Sequence, residues 1–514
     1  MILAVAVLVF GASLVLRAQG DIPPFDDLYH LQRMQSFVEL DPDRGEHGAF
    51  VPWPPLYDLV GGALRHVAPI EWLAPVGFSL LAAFLAWLIG RRLGAVSGLI
   101  AGLGLALSPY LIGVSHRGSL DHHWAEPFLL LAILFATVRR NGLALGVAVV
   151  LAMFVQTALL PAAALAFVVF FLTAPREGAV GFTIAAAAIA LYRANRLPGY
   201  PDSAWFLGWP HMWLFAGAAL ACWNVGTGFS RSGRAEARPH VSLLRSLALG
   251  ALLALPALPA MLAGARFFGG DPWLTSIAEF QPLFHDRGAI GTDLANLTGG
   301  ALLLFFIARR HRVLALFGLA YLLFALTSHR FLVPAIPLFI LGGAVAAAEP
   351  RRRWLALALT LLPPLCYLIG APHEEGVKPI AEQAAQLRAL PRGRVLALWS
   401  LGHAIHVLGQ KPVVIDNFGS MPDQTVFGNA CDALLQTHPD RLLAWCRDRE
   451  VRYLVLTAPS GLLATAAAVG IDPARYASTP LARRTVWWRL RAGEAIAGFR
   501  PVGGTRDLKV WQIE

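Results

Sequence analysis

The sequence contains few charged residues. Of its 514 residues only 14% are charged and 56% are hydrophobic, whereas soluble domains carry about 25% charged and about 45–50% apolar residues. The mean hydropathy is +0.57. This shortage of charge excludes an ordinary soluble enzyme, a disordered protein and a fibrous protein. The apolar stretches are continuous rather than alternating, which argues against a membrane β-barrel. A polytopic helical membrane protein with an attached soluble part remains.

Cysteine is also scarce, with 4 residues. Cys222 and Cys366 lie in apolar segments, where we expect inert thiols. Cys431 and Cys446 lie in the polar tail, and they would be able to pair if that tail faces an oxidising compartment. Their spacing alone does not decide whether they do.

Long apolar runs divide most of the chain into predicted membrane spans. A transmembrane helix needs about 20 mainly apolar residues, and by that measure there are about thirteen spans. The first span lacks a basic N-terminal region, so we expect a retained anchor rather than a cleaved signal peptide. The spans cover residues 2–19, 70–90, 93–114, 127–138, 142–158, 160–174, 178–192, 211–226, 241–264, 288–307, 313–327, 331–348 and 354–371.

The loops between these spans alternate between a basic kind and a longer, acidic kind. Arginine pairs such as Arg91-Arg92 and Arg139-Arg140 mark the basic loops, which the positive-inside rule assigns to the cytoplasm. The acidic loops therefore share the outer face, and an odd number of spans puts the polar tail there as well. The same rule accounts for the net charge of +10, so we expect a lipid bilayer and no nucleic acid as partner.

From about Ala371 the composition becomes mixed, with no further segment long enough to span a bilayer. We therefore predict a transmembrane domain over 1–371 and a small outer α/β domain over 372–514. Expected strands cover 395–398, 412–415, 453–456, 485–490 and 510–513, and expected helices cover 380–390 and 431–449.

Three outer loops carry acidic residues next to helix ends. Because an ionised side chain within the bilayer is costly, acids so close to it call for an explanation. Asp26 and Asp27 follow the first span and predict either a divalent-cation site or solvated loop acids. Asp121, His123 and Glu126 lie in the second loop. In an extended segment Asp121 and His123 would point the same way and grip one ion.

A carboxylate with an imidazole suits Mn²⁺ or another transition metal better than Ca²⁺. The alternative for the second loop is a polar interfacial turn with a histidine cap. Glu279, the central acid of the third loop, indicates little alone. Together the loops predict one metal site of Asp, Asp-x-His and Glu. Arg330, at the outer end of a later span, predicts either a bidentate phosphate contact or snorkelling to lipid headgroups.

These residues resemble the motifs of oligosaccharyltransferase catalytic subunits, the group that includes bacterial PglB and archaeal AglB. Asp26-x-x-Tyr29-His30 resembles the first acidic motif. The segment Gly118-x-x-Asp121-His122-His123-x-x-Glu126 is similar to the second motif in its archaeal form. Ser276-Ile277-Ala278-Glu279 resembles the SVSE or TIxE motif. The resemblance implies a GT-C type membrane fold with about thirteen spans and an outer C-terminal domain.

The resemblance also implies the site residues and the substrates. Metal ligands for Mn²⁺ or Mg²⁺ would be Asp26, Asp121, His123 and Glu279. The carboxylates Asp26, Asp121 and Glu279 would be catalytic, and Asp26 and Glu279 would hold the acceptor amide. Substrate contacts would come from Arg330, Asp27, His122, Glu126, Trp399 and Gly402, with Asp27 an alternative for the Asp26 role.

The tail departs from the family pattern. The WWDYG signature, which in the family recognises the hydroxyl of the acceptor Ser or Thr, should lie near 398–403. Only Trp399 and Gly402 match it, and Ser400 stands at the aspartate position. The acceptor-recognition half is therefore altered, while the catalytic half is intact.

The leading hypothesis is a metal-dependent glycosyltransferase in the inner membrane, with its site on the periplasmic face. It would move a glycan from a polyprenyl (pyro)phosphate donor to asparagine of a protein or peptide acceptor. The alternative is a GT-C enzyme that uses a hydroxyl of protein, lipid or glycan. A transporter or flippase would instead predict ionisable groups near span centres. An inactive homologue is the fourth hypothesis.

Overall fold

The computed structural model consists of two compact units. The first comprises Met1–Asp21, Trp53–Phe268 and Pro282–Pro372. The second comprises Ile22–Pro52, Gly269–Gln281 and His373–Glu514. The structure describes residues 2–18, 22–23, 26–35, 56–196, 199–231, 239–264, 271–284, 294, 297, 304, 310–370, 378–421, 423–505 and 507–514.

The described part of the first unit is built from apolar helices. Every predicted span coincides with a helix except 288–307, which lies outside the described residues apart from positions 294, 297 and 304. The helices are Ile2–Arg17, Leu56–Leu64, Ile70–Trp72, Leu73–Gly77 (a π-helix), Phe78–Arg91, Ala95–Leu107, Pro109–Gly113, Glu126–Arg139, Gly142–Val155, Leu160–Thr173, Pro175–Ala194, Trp209–Arg231, Pro239–Ala254, Leu258–Gly264, Arg312–Thr327, Leu332–Ala347 and Arg353–Gly370.

Two predicted spans are interrupted where proline removes a backbone donor. The 93–114 span stops at Leu107, and Pro109 starts a short second helix. The 241–264 span is divided by a 3₁₀ turn, Leu255–Ala257, which has a proline in its first positions. The apolar run therefore predicted the length of each segment, and the proline decided where the regular helix breaks.

Four helices among the described residues are long and apolar enough to cross a membrane. They are Ile70–Arg91, Pro175–Ala194, Leu243–Gly264 and His329–Ala347. The chain is thus a helical membrane protein. Every residue of Leu332–Ala347 is buried, which explains why that helix is apolar on all sides. This central helix follows the 3₁₀ turn His329–Phe331, which contains Arg330, a residue of the predicted site.

The described part of the second unit contains a four-stranded sheet. Its strands are β1 (Arg394–Leu396), β2 (Val451–Leu456), β3 (Phe499–Gly504) and β4 (Lys509–Ile513). They lie in the order β1-β2-β4-β3. β1 pairs with β2 in parallel, and β4 pairs antiparallel with both β2 and β3. Buried side chains such as Val395, Ile405, Tyr453 and Val510 form the core of this unit.

Helices from three parts of the chain belong to this second unit. They are Asp26–Gln35, Pro272–Ser276, Lys378–Gln386, Gly402–Val407, Gln424–Leu434, Pro439–Asp448, Pro459–Ala468, Pro473–Ala477, Pro480–Arg484 and Val486–Arg491. The predicted 380–390 helix is confirmed, continuing as the 3₁₀ turn Leu387–Ala389. The predicted 431–449 helix is two helices, because Pro439 starts a new one.

Two strand predictions were wrong and one strand was missed. The predicted strand 485–490 is instead the helix Val486–Arg491, and the hydroxyl of Thr485 caps its first turn by accepting a hydrogen bond from the Trp488 N–H. Only Val413 of 412–415 pairs, in an isolated bridge to Val395. β3 contains Pro501 and two glycines, which are unfavourable in strands. These residues are tolerated because β3 is an edge strand with an irregular register after Pro501.

The thiols of Cys431 and Cys446 are both free and buried. The pairing that the sequence left open is therefore absent from the structure. Burial raises the pKa of each thiol to about 12. Both groups accordingly act as small apolar side chains of the helices Gln424–Leu434 and Pro439–Asp448.

Gly402 has a packing role that predicts a measurable cost. A Cβ at this position would lie 2.3 Å from Cα of Asp416 and 2.8 Å from the Ile415 carbonyl oxygen. We expect Gly402→Ala to lower the free energy of unfolding of the full chain by about 1–3 kcal/mol, because the backbone must move. Gly428→Ala is the control, since a Cβ there meets nothing within 4 Å. Equal effects of the two substitutions would contradict this assignment.

Candidate active site

The loop carrying Asp121 is fixed by hydrogen bonds from several directions within the first unit. The Gly118 N–H donates to the Glu71 carbonyl at 3.0 Å, and the Arg117 N–H donates to the Arg17 carbonyl at 2.8 Å. The Tyr57 hydroxyl donates to the Leu120 carbonyl. These bonds hold the backbone on the N-terminal side of Asp121, so that its carboxylate has a defined position.

The backbone turns sharply after Asp121. Asp121 itself is extended, but the next residues form a 3₁₀ turn, His122–Ala125, that runs into the helix beginning at Glu126. The expected extended segment is therefore wrong beyond Asp121. The 3₁₀ turn aligns residues three apart, here His123 and Glu126, and His123 also lies beside Asp121.

Four side chains form a continuous chain of opposite charges. The Asp121 Oδ2 atom lies 2.9 Å from His123 Nε2, and His123 Nδ1 lies 3.1 Å from Glu126 Oε1. Arg330 then donates two hydrogen bonds to the Glu126 carboxylate, at 2.7 and 3.2 Å. Glu126 is 1% exposed and Arg330 5%. Arg330 is thus an internal ion-pair partner of Glu126, a contact the sequence did not predict.

His122 extends this chain in the other direction. Its Nδ1 atom lies 2.7 Å from Asp121 Oδ1, and its Nε2 atom contacts the amide nitrogen of Gln156. Sequence reasoning missed Gln156. The signal was present, since Gln156 and Thr157 are the polar pair within the apolar stretch 142–171.

The charges of this loop depend on one another. Burial raises the pKa of the Asp121 carboxyl, but the imidazoles of His123 and His122 outweigh burial and hold that pKa well below its usual range. Burial lowers the pKa of His122 to about 4. Burial and Arg330 lower the pKa of His123, but the Asp121 and Glu126 carboxylates outweigh both and raise it. A carboxylate therefore lies between one neutral and one protonated imidazole.

The donor atoms of this loop fit a divalent cation. Neighbouring ligands of an octahedral ion with bonds of about 2.1 Å lie about 3 Å apart, and Asp121 Oδ2 and His123 Nε2 are 2.9 Å apart. Donor atoms of His122, His123 and Glu126 also lie within 4.8 Å of one another. A histidine can bind a metal only when its imidazole is neutral. A cation would therefore displace the extra proton that His123 holds between the two carboxylates.

The second unit holds the first acidic motif. Asp26 and Asp27 begin the helix Asp26–Gln35, where the helix dipole favours negative charge. The Asp26 Oδ1 atom lies 3.6 Å from Nε2 of His403, a residue that the sequence analysis did not single out. His403 stacks on Tyr29 with ring centroids 5.2 Å apart. Burial lowers the pKa of His403 to about 3, so a neutral imidazole faces this carboxylate.

Glu279 belongs to the same unit, in the 3₁₀ turn Ala278–Phe280. The segment before it is anchored by Asp271, which accepts a hydrogen bond from the Ser420 hydroxyl at 2.8 Å. Trp273 lies edge-on to Trp399, with centroids 5.8 Å apart. The segment just before the third acidic motif therefore packs against the remnant of the WWDYG signature inside one unit.

The structure thus groups the predicted residues in two sets. Asp121, His122, His123, Glu126 and Arg330 lie in the first unit and contact one another. Asp26, Asp27, Glu279, Trp399 and Gly402 lie in the second unit. The four-residue metal site of Asp26, Asp121, His123 and Glu279 stays a prediction.

Comparison with known proteins relates this arrangement to solved structures. No protein-family model and no curated protein sequence matches the chain. It is similar to the oligosaccharyltransferase AglB from Archaeoglobus fulgidus in complex with an inhibitory peptide and a dolichol-phosphate. The two share 14% identity with a TM-score of 0.79, over 98% of this chain and 79% of that one. The chain has the fold of this archaeal oligosaccharyltransferase.

Two further structures of an oligosaccharyltransferase from the same organism agree. One is tethered to an acceptor peptide containing the NVT sequon, at 15% identity and a TM-score of 0.75, over 98% and 79% of the two chains. The other is a complex with Zn and sulfate, at 15% identity and a TM-score of 0.70, over 97% and 78%. The resemblance inferred from the motifs is therefore confirmed for the fold, over nearly the whole chain.

The buried Glu126–Arg330 pair predicts a large stability effect. Glu126→Ala would leave the Arg330 guanidinium buried without its carboxylate, and we expect the free energy of unfolding to fall by about 3–5 kcal/mol. Adding Arg330→Met should recover part of that loss, because the uncompensated charge is removed. The matched control is Glu349→Ala, which breaks an exposed pair with Arg310 and should cost about 0–1 kcal/mol. Similar losses for the buried and exposed pairs would contradict the assignment.

Proposed function

We propose that this chain is a glycosyltransferase that moves a glycan from a polyprenyl (pyro)phosphate to the side-chain amide of asparagine in a protein acceptor. The observation that carries the proposal is the chain of Asp121, His123, Glu126 and Arg330 in a protein with an oligosaccharyltransferase fold. Glu126 and Arg330 are buried, and the side chains of Asp121 and His123 are only 18% and 13% exposed. Removing four ionisable groups from water to this extent is costly. A catalytic function gives a reason for this cost.

The charged groups suit the two ends of the proposed reaction. The amide nitrogen of asparagine is a poor nucleophile because its lone pair is delocalised into the carbonyl. Carboxylates such as Asp26 and Glu279, accepting hydrogen bonds from the NH₂ group, would weaken that delocalisation. At the other end, the Arg330 guanidinium, held in one orientation by Glu126, would bind a phosphate oxygen of the departing lipid pyrophosphate.

A divalent cation, Mn²⁺ or Mg²⁺, belongs to this proposal. Asp121 and His123 would hold it, together with Asp26 and Glu279. When bound, it would supply a positive charge that stabilises the leaving phosphate. The imidazole ligand favours Mn²⁺ over Mg²⁺. The similar archaeal structure that contains Zn and sulfate supports the presence of such a site in this fold.

The membrane arrangement is proposed on the same basis. About thirteen spans, with basic loops in the cytoplasm, would put the acidic loops and the domain over 372–514 on the periplasmic side of the inner membrane. The donor's polyprenyl tail would then lie in the bilayer, and only its head group would reach Asp121 and Arg330.

A hydroxyl acceptor is the second candidate function. Ser400 stands where the family has the aspartate that recognises the acceptor hydroxyl. It lies within the 3₁₀ turn Trp399–Leu401, next to Trp399, which packs against Trp273. A glycosyltransferase with this altered segment would accept a hydroxyl of protein, lipid or glycan at the same metal-and-carboxylate site.

A transfer assay tests these alternatives. Purified protein with Mn²⁺ and a polyprenyl-linked glycan should glycosylate an Asn-x-Thr peptide and leave the matching Gln-x-Thr peptide unmodified, because the longer side chain misplaces the amide. Equal transfer to both peptides, or to a hydroxyl acceptor alone, would replace the leading function by the second one. Flipping of the lipid without any transfer would point to a flippase, and the absence of both to an inactive homologue.

Metal removal and Asp121→Ala form a separate prediction. We expect each to reduce transfer by at least about 100-fold, since loss of a ligand should cost at least as much as changes to outer-shell partners do. Mn²⁺ should restore the chelated protein but not the variant. Asp202→Ala is the matched control, because Asp202 is an outer-loop acid paired with Arg193 and should not affect transfer. Activity that survives both treatments would refute the metal assignment.

A further inference from the structure

Gln156 lies at a break between two apolar helices of the first unit. The helix Gly142–Val155 ends before it, and the 3₁₀ turn Thr157–Leu159 begins after it, with Gln156 itself extended at φ −156° and ψ 118°. Gln156 is 5% exposed. A polar amide at such a place needs hydrogen-bond partners.

The orientation of the Gln156 amide is defined by contacts at both ends. Its carbonyl oxygen accepts a hydrogen bond from the Ala158 N–H at 3.4 Å. Its nitrogen faces Nε2 of His122. An amide NH₂ group is only a donor. Nε2 of His122 must therefore be the acceptor, without a proton.

This contact determines the other nitrogen of the same ring. A neutral imidazole carries one proton, so His122 with a bare Nε2 must carry that proton on Nδ1. Nδ1, with that proton, faces Asp121 Oδ1 at a distance of 2.7 Å. The second oxygen of Asp121, Oδ2, is the one that faces His123.

We infer that Gln156 is a positioning residue for the cation site: through His122 it fixes the Asp121 carboxylate so that Oδ2 and His123 are aligned to bind a metal. The inference rests on the proposed function for the identity of the ligand. The inference adds a residue to the site that belongs to none of the sequence motifs. Gln156 lies between the helix Gly142–Val155 and the 3₁₀ turn Thr157–Leu159, away from the loop that carries Asp121 and His123. Partners of metal ligands that fix a carboxylate or a tautomer typically change metal affinity by about 10–100-fold when they are removed.

Two substitutions test the inference on the full-length protein. Gln156→Met removes the donor and keeps the chain length, whereas Gln156→Glu keeps the shape and replaces the donor by an acceptor. Mn²⁺ alone serves as the probe, and its dissociation constant is obtained from the rise in thermal stability with Mn²⁺ concentration. We expect the dissociation constant of Mn²⁺ to be about 10–100-fold larger for both variants than for the unchanged protein. Thr157→Val, at the neighbouring buried position, is the control and should bind Mn²⁺ as the unchanged chain does.

A spectroscopic signature separates positioning from packing. Side-chain ¹⁵N spectra, with His122 assigned by its loss in His122→Gln, should show Nδ1 protonated and Nε2 bare in the unchanged protein. In Gln156→Glu the carboxylate can only accept, so Nε2 should become protonated. A proton on Nε2 in the unchanged protein would overturn the inference, as would equal affinity losses in Gln156→Met and Thr157→Val.

The same experiments distinguish this inference from the proposed function. If the protein binds Mn²⁺ but transfers no glycan, the proposed function fails and the role of Gln156 in metal binding stands. If transfer occurs and Gln156→Met binds Mn²⁺ with unchanged affinity, the function stands and the role of Gln156 is refuted.

Discussion

The structure of the candidate site depends on the buried ion pair between Glu126 and Arg330. Each charge would be strongly unfavourable inside the protein without the other. Because Arg330 precedes the central helix and Glu126 begins another helix, the pair ties two helices at one end. Glu126 then uses the oxygen that also meets Arg330 to orient His123, which in turn faces Asp121. The ion pair that joins the two helices thus also holds the residues of the candidate site.

The apolar composition of the chain supports this arrangement. The central helix Leu332–Ala347 is entirely buried, so its position is determined by packing on all sides rather than by contact with lipid. Arg330 lies in the 3₁₀ turn His329–Phe331, which leads directly into this helix. The loop before Asp121 is fixed by backbone hydrogen bonds to Glu71 and Arg17. Ionised side chains held by rigid elements need little reorganisation when a charged substrate arrives.

The second unit organises the other acidic motifs in a similar way, but with aromatic packing in place of ion pairs. His403, Tyr29 and Phe418 contact one another in one aromatic cluster, beside the Asp26 carboxylate. Trp273 connects the segment before Glu279 to Trp399. The described residues within 22–35 and 271–281 thus belong to the same unit as the C-terminal part of the chain. A boundary drawn from composition alone, at about Ala371, does not capture these two insertions, because short polar segments between spans resemble ordinary loops.

The sequence by itself determined the apolar helices, since continuous hydrophobic runs leave few alternatives in a membrane. It also determined the cluster of Asp121, His123 and Glu126, because these residues are close along the chain and a short turn brings them together. Tertiary structure alone decided that Arg330 pairs with Glu126, that Gln156 meets His122 and that His403 faces Asp26. Those partners are 204, 34 and 377 positions apart. Such contacts arise from tertiary packing, and a local sequence pattern that marks a polar residue does not identify a partner far away along the chain.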